Sequence, residues 1–173
     1  MRLGMVGLGR MGANMTRRLL RGAHEVVVSD LSADNVKHVA SEGAIGSSSL
    51  DDFVAKLRPP RIAWLMVPAG TATEQTVQAL AQRFQKGDII IDGGNSFFKD
   101  DVRRSRQLQP NGIHYIDVGT SGGVWGLERG YCMPSKMFPC KPYQFTRGRP
   151  RHWDSGGRPC DNILYPAIEL PRF

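Results

Sequence analysis

Three short stretches carry residues whose type and spacing could do chemistry: Gly7-Leu8-Gly9-Arg10-Met11-Gly12, Asp92-Gly93-Gly94-Asn95-Ser96 and Gly119-Thr120-Ser121-Gly122-Gly123. The first directly follows the apolar run Leu3-Gly4-Met5-Val6 and precedes a helical pattern over residues 13–20. A strand, a G-x-G-x-x-G spacing and a helix in that order form a cradle for the pyrophosphate of a dinucleotide. The first glycine permits the tight turn, the second admits a phosphate close to the backbone, and the third lets the helix pack near the strand. The helix N-terminus then aims unpaired N–H groups and its positive dipole end at the phosphates. An ordinary turn between strand and helix can also use glycine, so the motif draws weight from what lies beyond it. That is Asp30, at the end of the apolar strand pattern Glu25–Ser29, about twenty residues past the glycines, where a carboxylate accepts hydrogen bonds from a ribose. The competing role for Asp30 is to cap the next helix, for which Ser32 is better placed. A carboxylate here repels a 2′-phosphate, and Leu31 stands where an NADP enzyme often offers Arg. The electrostatics therefore favour NAD over NADP.

The second stretch ends an apolar strand pattern, Ile89-Ile90-Ile91-Asp92. Its glycines bring backbone near a ligand, and the Asn95 amide can both donate and accept, which suits a bridge between cofactor and substrate hydroxyl. A glycine turn with an asparagine helix cap is the alternative reading of the same residues. In the third stretch, Ser121 with two glycines presents a hydroxyl and successive N–H groups to a carboxylate. Trp125 and the charged pair Glu128 and Arg129 follow, which a merely flexible linker would not need. His114 reads as structural, because no nucleophile or metal ligand lies at a suggestive spacing, and no metal site is expected.

Elements that would hold these stretches in place alternate along the chain. Helices are expected over 33–42, from Ser48 or Ser49 through Leu57, from a Thr71 or Thr73 cap to Phe84, and over 97–108. Strands are expected near Ala44-Ile45, over 61–67 and over 113–118. The last of the helices shows a basic outer face, Arg103, Arg104 and Arg106, of the kind that is ordinarily solvated. Met66-Val67-Pro68-Ala69-Gly70 is a loop at the carboxyl edge of the sheet, where open α/β folds bind ligands. The pattern predicts an α/β fold of Rossmann type: a doubly wound, mostly parallel sheet with helices on both faces, followed by an irregular or disordered C-terminal tail. A chain of 173 residues buries one sizeable core. It shows no apolar run long enough to span a bilayer, and its first strand begins at once, leaving no room for a signal peptide, so a cytoplasmic protein without a membrane partner is expected. Cys132, Cys140 and Cys160 fit neither a metal spacing nor an even disulfide framework and read as free thiols.

The motifs GLGRMGANM from Gly7, DGGNS from Asp92 and DVGTSGGVWGLERGYCM from Asp117 together resemble the 6-phosphogluconate dehydrogenase family, most closely its short bacterial, often NAD-linked branch. The resemblance covers residues 1–133. It implies oxidation of the C3 hydroxyl of 6-phosphogluconate by hydride transfer to a nicotinamide, then loss of CO2 to give ribulose 5-phosphate, a step of the pentose phosphate pathway. It further implies that Gly7, Leu8, Gly9, Arg10, Met11, Gly12 and Asp30 hold the dinucleotide, that Val67, Pro68 and Asn95 line its path, and that Asn95, Ser121, Gly122 and Gly123 hold the sugar acid.

The resemblance stops at Met133. Family members continue with a strand, a long helix and an all-helical domain, which carries a lysine general base, a nearby asparagine and a glutamate general acid and makes the dimer. Here residues 134–173 hold seven of the eleven prolines and seven Lys or Arg against three Asp or Glu, four units of the net charge of +7. The expectation is a dinucleotide-binding domain over 1–133 and a non-family tail over 134–173 from a frameshifted or truncated gene product. Such a chain has no catalytic residue of its own: it binds NAD and turns over 6-phosphogluconate poorly or not at all. A β-hydroxyacid dehydrogenase of the 3-hydroxyisobutyrate type, and a non-catalytic dinucleotide-binding module, are the alternatives. A nucleic-acid partner is disfavoured, because the aromatics and basic residues of the tail lack regular interleaving.

Overall fold

β-branched apolar runs become the central strands, and the amphipathic segments between them become the covering helices. The structure, a computed structural model, describes residues 1–133 and 135–138. Its elements run β1 (Arg2–Val6), α1 (Arg10–Arg21), β2 (Glu25–Ser29), α2 (Ala33–Ser41), β3 (Ile45–Gly46), α3 (Leu50–Lys56), β4 (Ile62–Leu65), α4 (Thr71–Ala81), β5 (Ile89–Asp92), α5 (Phe98–Leu108), β6 (His114–Val118), α6 (Gly126–Arg129) and β7 (Ser135–Phe138). Short 3-10 turns occupy Gln109–Asn111 and Gly123–Trp125.

The sheet has the order β3-β2-β1-β4-β5-β6-β7. β1 to β6 pair in parallel, and β7 runs antiparallel to β6. Val26, Val27 and Val28 are fully buried, as a parallel strand covered on both faces requires. On one face Phe53, Val54 and Leu57 with Val77, Leu80 and Leu108 pack over Val27, Leu65 and Ile90. On the other, Ala13, Met15, Val36 and Val39 pack over Leu3, Met5, Val26 and Val28. The chain winds outward from β1 to β3, then returns to lay β4 against the other side of β1. That reversal leaves a crevice beyond the carboxyl ends of β1 and β4.

Several boundaries differ from the sequence expectation for local reasons. Neither Thr71 nor Thr73 caps α4: Gly70 sits at the N-cap with φ +88° and no side-chain cap. Thr73 instead donates to the Pro68 carbonyl at 2.9 Å, which pins the loop after β4. The helix ends at Ala81, and Phe84 folds beneath it into the core. Ser49, rather than Ser48, caps α3, accepting from Asp52 N at 3.1 Å.

A seventh strand stands in the segment expected to be irregular tail. Tyr115 lies opposite Phe138 and Val118 opposite Ser135. The outer edge of β6 presents backbone donors and acceptors that a four-residue strand can pair, and Pro134 and Pro139 flank this segment without interrupting it. The rest of the expected tail, with Cys140 and Cys160, lies outside the described residues; Cys132 is an exposed free thiol. No helix among the described residues is long and apolar enough to cross a membrane.

Candidate functional site

A crevice of about 1030 Å³ opens at the switch point, floored by the glycine loop and walled by the loops after β2, β4 and β5 and by one face of α4. The glycines divide the work there. Gly7 has φ +91°, and a Cβ on it would strike the Met66 carbonyl across the β1–β4 pair. A Cβ on Gly12 would strike the Gly7 carbonyl, so only glycine lets α1 begin this close to β1. At Gly9 a Cβ would meet nothing within 4 Å, which leaves the open space a pyrophosphate fills. Gly9 is the N-cap of the twelve-residue α1, with no side-chain cap and no acid in the first turn. The leading N–H groups of that helix therefore face the crevice without an internal partner and favour an anion.

Asp30 stands at the rim, tied from both sides. Its Oδ2 accepts the Leu8 N–H at 2.6 Å, and its Oδ1 accepts Ser32 N at 2.8 Å and Asn35 Nδ2 at 3.2 Å. Two carboxylate oxygens offer about four lone-pair sites, so a ribose hydroxyl still finds one. Ser32, not Asp30, caps α2, accepting from Asn35 N. Leu31 is fully exposed beside it. Leu8 is not brought to the crevice: its side chain is buried in the core and its N–H is spent on Asp30. Gly7, Gly9, Arg10, Met11, Gly12, Asp30, Val67, Pro68 and Asn95 all line the crevice.

The loop that carries Asn95 is shaped by a buried carboxylate. Asp92 accepts from Gly94 N at 2.9 Å, Ser96 Oγ at 2.7 Å and Tyr115 Oη at 2.9 Å. Asn95 caps no helix, since Phe97 holds the N-cap of α5 without a side-chain bond. Thr120 Oγ1 donates to the Gly93 carbonyl at 3.3 Å, joining this loop to the segment with Ser121, Gly122 and Gly123. Those three residues are exposed and do not line the crevice itself. The Ser121 N–H donates to the Cys132 carbonyl at 3.0 Å, so the expected run of free N–H groups lacks its first member. The segment is pinned to α1 by Arg18 Nη1, 3.0 Å from the Leu127 carbonyl, and by the Arg21–Glu128 pair at 3.3 Å.

Sequence reading missed the support behind Asn95 and misplaced one residue outright. Arg104, expected on a solvated face, is 2% exposed. Its Nε donates to Glu74 Oε2 at 2.9 Å and its Nη1 to Asp101 Oδ1 at 3.1 Å. A buried guanidinium persists only with such partners. Hydrogen bonding from Arg103, backed by Arg104, holds the Glu74 carboxyl at about 2. Burial pushes Asp101 up to about 6, and burial with the neighbouring carboxylates pushes Tyr115 up as well. The only trace in sequence was the three-residue spacing of Asp101 and Arg104, which places both on one helix face.

Residues 2–148 match the NAD binding domain of 6-phosphogluconate dehydrogenase. The chain is 43% identical over 133 residues to the NAD(+)-dependent, decarboxylating 6-phosphogluconate dehydrogenase of Haloferax volcanii, covering 77% of this chain and 44% of that one. It is 39% identical over 132 residues to the NADP(+)-dependent enzyme of Bacillus subtilis, covering 74% and 28%. The solved 6-phosphogluconate dehydrogenase of Plasmodium falciparum, studied with NADP+ and with 6-phosphogluconate, matches at TM-score 0.73 and 25% identity over 78% of this chain and 30% of that one. The chain thus spans less than half the length of these relatives.

Proposed function

This chain belongs to the family of NAD binding domains of 6-phosphogluconate dehydrogenase, and on that premise we propose that its crevice binds NAD in preference to NADP and serves oxidation of 6-phosphogluconate. The open, uncapped N-terminus of α1 above Gly9 carries the reading. Gly7, Gly9, Arg10, Met11 and Gly12 surround the pyrophosphate, and Asp30 accepts the ribose hydroxyls of the adenosine half. Val67, Pro68 and Asn95, which line the same crevice, would hold the nicotinamide half. The bound nicotinamide supplies the hydride acceptor. Asn95 and the Ser121 hydroxyl orient the sugar acid, and fixing its C3 within hydride range is the largest service a rigid loop can offer.

The NAD preference rests on charge. A 2′-phosphate would sit against the Asp30 carboxylate, with Leu31 beside it where a cation would be needed. Removal of the proton of the C3 hydroxyl, as the C3 hydrogen leaves as hydride, requires a base, and no lysine or histidine lines the crevice among the described residues. The expectation is that the chain by itself binds cofactor without turning over substrate. Calorimetry on the purified chain tests the reading: NAD is expected to bind at least about tenfold more tightly than NADP, a difference of about 1.4 kcal/mol. Equal or tighter binding of NADP would overturn the preference, and no heat with either would overturn the site.

A further inference from the structure

Behind the Asn95 loop the hydrogen bonds require one more proton than ionised side chains supply. Tyr115 Oη stands 2.9 Å from Asp92 Oδ2 and 2.9 Å from Asp101 Oδ1. A phenol has a single hydrogen to donate. With both carboxyls ionised, one of these contacts would set bare oxygens against each other. No solvent dilutes that repulsion, since Asp92, Asp101 and Tyr115 are 1%, 0% and 1% exposed; Arg104 Nη1 is the cation that meets both carboxyls, and it brings no hydrogen to the Tyr115–carboxyl contacts themselves.

The two carboxyls are not equivalent. Asp92 is well supplied, by Gly94 N, by Ser96 Oγ and by Arg104 Nη1 at 3.6 Å. Asp101 has Arg104 Nη1 on Oδ1, while its Oδ2 is buried with no hydrogen-bond partner among the described residues. We propose that Asp101 is a positioning residue for the crevice: it carries the extra proton and donates it to Tyr115. The Tyr115 hydroxyl is then free to hold Asp92, which holds Gly94 and Ser96 on either side of Asn95. The service to a dinucleotide rests on the function proposed above; the proton relay does not.

The charged surroundings of Asp101 agree. Arg104 faces it from its own helix, Asp92 from β5, and Tyr115 and Asp117 from β6, while Glu74 of α4 draws on the same guanidinium. Burial and the Asp117 and Asp92 charges favour the neutral acid, against the Arg104 charge and the hydrogen bond that Tyr115 gives the ionised form, and the carboxyl is pushed up to about 6. Above that point two carboxylates contend for one phenolic hydrogen, and the grip on the loop slackens.

The test follows the Gly94 amide by NMR in the isotope-labelled full chain from about pH 5 to pH 8, across the expected midpoint. NADH is titrated into the same samples by fluorescence. In the wild type the Gly94 resonance should move in one step near pH 6, and NADH affinity should fall about tenfold over that step, one pKa unit of coupling. Asp101→Asn, whose amide donates to Tyr115 at every pH, should abolish both steps and keep the acid-side affinity. Tyr115→Phe should uncouple Gly94 from pH and speed its amide exchange. A wild-type Gly94 that does not titrate, or one that titrates unchanged in Asp101→Asn, overturns the relay. A Gly94 step with NADH binding that is flat in pH overturns the positioning role. A Gly94 step that Asp101→Asn removes, with no NADH binding at all, supports the relay and overturns the cofactor reading. If Asp101→Asn does not fold, the carboxyl carbon shift of Asp101 in the wild type decides, and a midpoint in the ordinary carboxylate range overturns the proposal.

Discussion

Gly9 and Gly12 separate binding from folding at the scale of one residue. Gly9 has φ −59°, which any residue adopts, and open space where a Cβ would stand. Gly9→Ala is expected to leave stability within about 0.5 kcal/mol of the parent and to weaken NAD binding, because the new methyl occupies the phosphate position. Gly12→Ala drives a Cβ into the Gly7 carbonyl. That change is expected to cost about 1–3 kcal/mol of stability as the helix is pushed off the strand. Thermal unfolding beside calorimetric titration checks both, and a stability loss at Gly9 as large as that at Gly12 would contradict the division. Asp30 shows how one carboxylate does two tasks: it holds the Leu8 and Ser32 backbone, and it presents its remaining lone pairs to the crevice.

At the scale of elements, α5 is the one whose reading changed most. Its basic face was legible, but which arginine turned inward was not. Periodicity assigns a face to each position and cannot say that β5, β6 and α4 bring Asp92, Tyr115 and Glu74 to meet Arg104. Two pH effects of opposite sign follow from this cluster. Glu74 sits at about 2 in the fold against its ordinary 4.5, so its contribution is complete above about pH 4.5 and is lost as pH falls toward 2. Asp101 sits at about 6 against 3.8, so the folded state binds the extra proton and stability declines as pH rises from 3.8 to 6. That decline is of order 3 kcal/mol. These two groups together place the stability maximum near pH 4 to 5. Asp101→Asn should remove the descending limb and make the protein more stable than the parent at neutral pH. Denaturant unfolding across this range checks it, and a parent profile that rises through pH 6 would refute the assignment of Asp101. Glu74→Ala, which removes the Nε partner of the buried Arg104 and leaves it the Asp101 and Asp92 contacts, should cost about 1–3 kcal/mol.

At the scale of the whole molecule, the chain presents a cofactor crevice and the loop that joins it to Ser121, over less than half the length of its relatives. Mixing the purified chain with NAD and 6-phosphogluconate is expected to yield no NADH absorbance, since no lysine or histidine lines the crevice among the described residues. NADH formation at ordinary enzyme rates would contradict this expectation.

What the sequence determined by itself is local: the glycine cradle, Asp30 at its distance, the alternation of strands and helices, and the Asn95 and Ser121 turns all follow from spacing within one or two elements. Backbone conformation and hydrophobic period act over such short separations, so one dimension suffices to read them. Only the tertiary structure decided that Leu8 turns into the core, that the Ser121 N–H is spent on Cys132, that residues 135–138 extend the sheet, and that Arg104 is buried with Asp101 behind Asn95. Each of these depends on partners far apart in the chain, and burial with its partners decides whether a polar group faces water or another side chain.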